Sequence, residues 1–136
     1  GNLFCIDVDE QRMIWSKDMD KDFEGILPRF GHSESILTDG DKVFFTPGGK
    51  VHNVVALNRF NGELIWTHPG FSERSGYNPP KLIKLEERNI LVTFSAYNMM
   101  GFDCETGEML WSHKQDNYPV EAHGPGVGDT HINILC

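Results

Sequence analysis

Three segments of this chain match one pattern of eleven positions: Cys5 to Trp15 (CIDVDEQRMIW), Ala56 to Trp66 (ALNRFNGELIW) and Gly101 to Trp111 (GFDCETGEMLW). Each copy closes on one of the chain's three tryptophans, which lie 51 and 45 residues apart. A unit that recurs at such a period cannot bury its apolar face alone and must stack on its neighbours. A spacing of ~40–50 residues is what one four-stranded antiparallel sheet of a radial array occupies.

Inside the pattern the chemistry is that of a hairpin. Asp7, Asn58 and Asp103 each end an apolar stretch, and their short polar side chains can bond backbone N–H groups two residues on, which starts a turn. Gly62 and Gly107 then supply a position where positive φ carries no steric cost. Gln11 stands there in the first copy, so that turn is expected to be looser or strained. After each turn comes a short apolar stretch, Glu63 to Trp66 and Glu108 to Trp111, suited to a strand with a buried face.

Two further strands precede each later copy. Ser35 to Thr38 and Lys42 to Thr46 flank Asp39-Gly40-Asp41, whose Asp-Gly pair is a strong hairpin signal. Lys81 to Leu85 and Asn89 to Ser95 flank the polar Glu86-Glu87-Arg88 in the same way. Asn53 to Leu57 and Asn98 to Phe102 continue into the repeats. Pro47-Gly48-Gly49-Lys50 lacks the GxxxxGK[ST] spacing of a phosphate loop and joins two strands, so it reads as a turn. No segment carries the apolar spacing of an amphipathic helix. The chain therefore reads as all-β: residues 1–28 the end of a truncated unit and a linker, residues 29–74 and 75–120 one unit each, and residues 121–136, with Ile132 to Leu135, the start of another. Unpaired edges on such cut units would favour self-association.

The 12 basic and 20 acidic residues leave a net charge of −8 with the basic residues scattered. Nucleic acid and anionic membrane surfaces are poor partners for such a chain, and no apolar run approaches the ~18 residues of a membrane span. Three cysteines, with neither a CxxC pair nor a CxxCH haem attachment, assign no redox compartment. Cys5 and Cys136, in apolar contexts, are expected to be small buried hydrophobes, and Cys104, in a turn, to be more exposed.

The pattern Ala/Gly-x-Asp/Asn-x-x-Thr/Asn-Gly-x-x-x-Trp resembles the tryptophan-docking motif of the pyrroloquinoline-quinone-like β-propeller repeats. The resemblance implies a partial propeller of four-stranded blades in which Trp15, Trp66 and Trp111 each pack on the small first residue and the turn glycine of a neighbouring copy. Ala56, Gly101, Gly62 and Gly107 match those positions; Cys5 and Gln11 depart from them. The superfamily holds quinoprotein alcohol dehydrogenases and a non-enzymatic outer-membrane assembly lipoprotein, and its members are typically exported, which implies a periplasmic, cell-surface or secreted protein.

Fold does not decide between catalyst and scaffold. The six histidines show no HxH or HExxH spacing. The segments entering each first strand, RFGHSES from Arg29, SGYNPP from Ser75 and EAHGP from Glu121, occupy matching places in successive repeats. By resemblance to other propellers they converge near the axis, which makes Arg29, His32, Glu34, Tyr77, Asn78 and His123 the candidate ligand-binding residues. Neither a calcium-type carboxylate loop nor a free stacking tryptophan is evident, so no catalytic or metal-ligating residue is assigned. The leading expectation is a non-catalytic scaffold for a protein, small-molecule or saccharide ligand. The alternative is part of an alcohol or polyol dehydrogenase using pyrroloquinoline quinone and calcium.

Overall fold

The computed structural model describes residues 1–29, 31–32 and 34–115, so the expected strand at Ile132 to Leu135 and the candidate His123 lie outside the described residues. The described residues form β1 (Asn2–Asp7), β2 (Arg12–Asp18), a one-turn helix α1 (Met19–Asp22), β3 (Leu37–Asp39), β4 (Lys42–Phe45), β5 (Val54–Asn58), β6 (Leu64–His68), β7 (Lys81–Lys84), β8 (Asn89–Phe94), β9 (Asn98–Asp103) and β10 (Met109–Lys114). The strands make three antiparallel sheets: β1-β2, β3-β4-β5-β6 and β7-β8-β9-β10. The helix departs from the expectation of strands alone. Asp18 caps it by accepting from the N–H groups of Asp20 and Lys21, a side-chain effect that makes one turn without any amphipathic period.

The repeat is a hairpin in all three places. Asp7 Oδ1 accepts from the N–H of Asp9 and Glu10, Asn58 Oδ1 from Phe60 and Asn61, and Asp103 Oδ1 from Glu105 and Thr106, at 2.9–3.3 Å. The turn position has φ of +50° at Gln11, +73° at Gly62 and +74° at Gly107. Gln11 therefore adopts the glycine conformation at a steric cost, as its place in the repeat predicts. The register of each hairpin then shifts by one residue, passing over Ile14, Ile65 and Leu110. Such a bulge bends the strand and re-aims the side chain that follows, which here is the tryptophan.

The middle sheet is buried on both faces. Val43, Phe45, Val55 and Leu57 form one core with Leu3, Met19, Phe23 and Trp15. Phe44, Val54, Ala56 and Trp66 form another with Leu91, Met100 and Phe102 of the third sheet. This is why β4 and β5 read as continuous apolar runs and not as alternating ones.

Cys104 corrects an expectation: although it sits in a turn it is only 1% exposed, because that turn lies under Trp66, while Cys5 is half-buried. Burial and the nearby Asp39, Asp103 and Glu105 carboxylates push the Cys104 thiol up to about 12, so it stays protonated. On the same end of the sheets Lys42 Nζ reaches both Asp41 and Glu105, and Asn89 donates to Asp39 at 2.7 Å.

Candidate functional site

At the opposite end of the strands the connections gather: the link from β2 to β3, the loop from β4 to β5, the link from β6 to β7 and the short loop from β8 to β9. Gly48-Gly49 is a turn there, its N–H groups bonding back to Asn53 and His52. A Cβ on Gly49 would lie 2.6 Å from the Phe23 carbonyl oxygen and one on Gly25 2.9 Å from that of Pro47, so link and loop touch through their backbones.

Glu34 is the best-held of the candidate residues. Its carboxylate accepts from the Thr46 N–H at 2.5 Å and from the Thr46 hydroxyl. Thr46 Oγ1 lies 3.0 Å from Ser75 Oγ in the next link. Burial pushes the Glu34 carboxyl up to about 7, against the two Thr46 bonds that favour its charged form. The other candidates are placed less centrally. His32 is enclosed, with Nε2 3.3 Å from Asp20 Oδ1 and Nδ1 without a hydrogen-bond partner, and burial lowers its basicity. Tyr77 is buried, Asn78 half-buried and Arg29 exposed. The structure thus joins the Glu34 and Ser75 segments through Thr46.

Sequence reasoning missed a second carboxylate centre. Glu73 accepts from Ser95 Oγ, from the Tyr97 N–H at 3.0 Å and from Asn98 Nδ2 at 2.8 Å. Its backbone carbonyl takes Asn53 Nδ2, which also reaches the Gly49 carbonyl at 3.2 Å. A signal was available: Asn2, Asn53 and Asn98 each stand five residues before the Asp or Asn that opens the repeat turn. Two carboxylates therefore tie the ends of the second strands to the links that pass them. Among the described residues no group of three or more His, Cys, Asp or Glu side chains is placed to hold a metal ion.

Trp15 and Trp66 sit between sheets, while Trp111 packs on the core of its own sheet. A Cβ on Gly62 would be 2.9 Å from the Trp15 ring and one on Gly107 2.6 Å from the Trp66 ring. Trp15 Nε1 donates to the Arg59 carbonyl at 2.9 Å, and Trp66 Nε1 to the Cys104 carbonyl at 3.0 Å. Each indole thus lies on the turn glycine of the following sheet. The small first residue behaves differently from the expectation: Gly101 lies beneath Trp111 of its own hairpin, 2.2 Å from ring to a built Cβ, and Ala56 pairs with Trp66 across its own hairpin.

Three antiparallel sheets, two of them four-stranded, stacked through Trp15 and Trp66 define a partial β-propeller of the pyrroloquinoline-quinone-like class among the described residues. The chain belongs to the family described as outer membrane protein assembly factor BamB, whose model matches residues 1–131. The structure is similar to BamB from Moraxella catarrhalis, with a TM-score of 0.57 and 17% identity, over 84% of this chain and 30% of that one. It is also similar to a europium-containing methanol dehydrogenase, with a TM-score of 0.55 and 11% identity, over 83% of this chain and 21% of that one. At these identities the likeness is one of fold. The chain spans less than a third of the length of either structure. Comparison with curated proteins finds no match. Among the described residues no helix is long and apolar enough to cross a membrane, which says nothing of β-barrels.

Proposed function

We propose that this chain is part of a non-catalytic, protein-binding propeller working outside the cytoplasm in outer-membrane protein assembly, with residues 29–74 and 75–120 each contributing a blade. Trp15 and Trp66 lock blade to blade, and the link end of the blades is the working face.

The observation that carries this reading is the use made of the two half-buried carboxylates. Glu34 and Glu73 are engaged with Thr46, Ser95, Asn98 and the Tyr97 backbone. Bonds of that kind fix loops in place. The fixed loops carry Leu27, Val51, Phe71 and Tyr97 with 42–57% of their surface in solvent, apolar contacts suited to a protein partner. The family's description supplies the assembly role.

The test has two arms. Depleting the protein in its native cell is expected to lower the amount of folded outer-membrane protein. The purified protein given pyrroloquinoline quinone, calcium and an alcohol is expected to reduce a dye no faster than a heat-denatured sample. Sustained dye-linked oxidation would overturn the scaffold reading, and unchanged outer-membrane protein levels would overturn the assembly role.

A further inference from the structure

Three oxygen-to-oxygen contacts run in line through the link end: Glu34 Oε2 to Thr46 Oγ1, Thr46 Oγ1 to Ser75 Oγ at 3.0 Å, and Ser75 Oγ to the Gly76 carbonyl at 2.9 Å. Each contact needs one proton between its oxygens. Thr46 and Ser75 bring one each, and a carbonyl brings none. The line is therefore one proton short, and with Thr46 and Ser75 only 1% and 2% exposed, bulk water does not supply it.

Where that proton sits decides which contacts are bonds. With Glu34 ionised, the Thr46 hydroxyl donates to the carboxylate. The single Ser75 proton then serves either Thr46 or the Gly76 carbonyl, and one pair of buried oxygens is left without a hydrogen between them, which is costly. With a proton on Glu34 Oε2 the line runs in one direction: Glu34 donates to Thr46, Thr46 to Ser75, and Ser75 to Gly76. Oε1 stays free to accept from the Thr46 N–H at 2.5 Å. The neutral acid satisfies every contact, and the charged one does not.

The surroundings favour the neutral form. On the link that carries Glu34, His32 lies against Asp20 and Arg29 is exposed. On the next link Glu73 takes Ser95, Tyr97 and Asn98, Arg74 is exposed and Tyr77 is buried. What acts on the Glu34 carboxyl is burial and the two Thr46 bonds.

The line also joins consecutive sheets. Glu34 belongs to the link from β2 to β3, Thr46 follows β4, and Ser75 belongs to the link from β6 to β7. That second link is held to the third sheet by a bridge between Ser75 and Ser95 and by the Gly76 N–H, which donates to the Phe94 carbonyl at 3.1 Å. We infer that Glu34, Thr46 and Ser75 form a pH-sensitive latch between consecutive sheets, closed while Glu34 donates at its head and loosened at the Ser75 link when that proton leaves. The carboxyl's rise to about 7 sets the change near neutral pH, with the latch closed below it and loosened above.

The experiment follows amide hydrogen exchange at Gly76 in the whole 136-residue chain, corrected for the intrinsic rate at each pH and referred to Phe102 in the core. Protection of Gly76 in the parent is expected to fall about tenfold between about pH 5 and about pH 8, the loss of one buried bond. Glu34→Gln copies the neutral acid, its amide donating to Thr46 Oγ1 while its oxygen accepts from the Thr46 N–H, and is expected to keep Gly76 protected at both values. Ser75→Ala removes the far end of the line and is expected to leave Gly76 weakly protected at both, so it decides the matter where Glu34→Gln does not fold. Protection in the parent that does not change with pH overturns the inference. So does a fall of the same size in Glu34→Gln or in Ser75→Ala, since another group would then be titrating.

Discussion

Trp66 and Gly107 are matched surfaces: the indole covers the glycine so closely that a methyl group at 107 would come within 2.6 Å of the ring, and the ring cannot retreat without breaking its bond to the Cys104 carbonyl. Trp66→Ala removes a buried ring from the core between two sheets and is expected to cost about 3–5 kcal/mol. Gly107→Ala adds a methyl at φ +74° and is expected to cost about 1–2 kcal/mol for the backbone and about 1–3 kcal/mol for overpacking. Urea denaturation checks both. Trp66→Ala should exceed the effect of any single histidine change, and a melting temperature equal to the parent's would contradict the interlocking role of the indole.

Gln11 holds a backbone conformation for which it is poorly suited, in an exposed turn. Gln11→Gly relieves a strain of about 1–2 kcal/mol but adds about 0.5–1 kcal/mol of unfolded-state entropy. A net gain of up to about 1.5 kcal/mol is expected, measured by thermal or urea unfolding. The same substitution at Glu10, which lies before the positive-φ position, should give no gain.

Glu34 makes stability depend on pH. Its folded carboxyl is raised from 4.5 to about 7, so between those values the folded chain keeps a proton that the unfolded chain has released. The contribution of this group is therefore most favourable below about 4.5, and stability falls as pH rises through that window. The integrated loss is about 3 kcal/mol at most. Glu34→Gln keeps an oxygen for Thr46 and cannot titrate. Its urea midpoint should change less between pH 4.5 and 7 than the parent's, and identical pH slopes would contradict the assignment.

How much of this was legible in the sequence differs between core and site. The eleven-residue repeat carries the hairpins because a turn imposes local demands: an Asx side chain to accept two amides and a residue tolerant of positive φ. The continuous runs Val43 to Phe45 and Val54 to Leu57 carry the two-sided burial of the middle sheet. The polar centre was half legible. Glu34 lies in an expected loop, but its partner Thr46 is fixed by the register of β4. Glu73 meets Ser95 and Asn98 only after two links have folded over the sheet ends, and one chain's spacing does not encode that convergence. Cys104 was misread for a related reason: turn position predicts exposure until the neighbouring sheet lays Trp66 across it.

Thr93 presents an unmade bond. Its Oγ1 has no hydrogen-bond partner and the residue is fully buried. A desolvated hydroxyl without a partner opposes folding, and valine has nearly the same shape. Thr93→Val is expected to leave stability unchanged or raise it by about 1 kcal/mol in urea titration. A loss of the size expected for Trp66→Ala would mean that the hydroxyl has an essential partner, such as an internal water.

Glu73 is where link and loop are held together, so its removal should loosen the working face before it loosens the core. Glu73→Ala leaves the Ser95 hydroxyl, the Tyr97 N–H and the Asn98 amide without their acceptor. Water can replace some of these bonds at the exposed Tyr97 but not at the buried Ser95, so the expected cost is about 2–3 kcal/mol, short of three full penalties. The change should be local in hydrogen exchange, with Tyr97 losing protection while Leu91 and Phe102 keep theirs relative to global unfolding. A double-mutant cycle with Asn98→Ala separates the two roles, because a positioning carboxylate predicts a coupling of about 1 kcal/mol between them. Strict additivity would mean that Glu73 acts on the loop without Asn98.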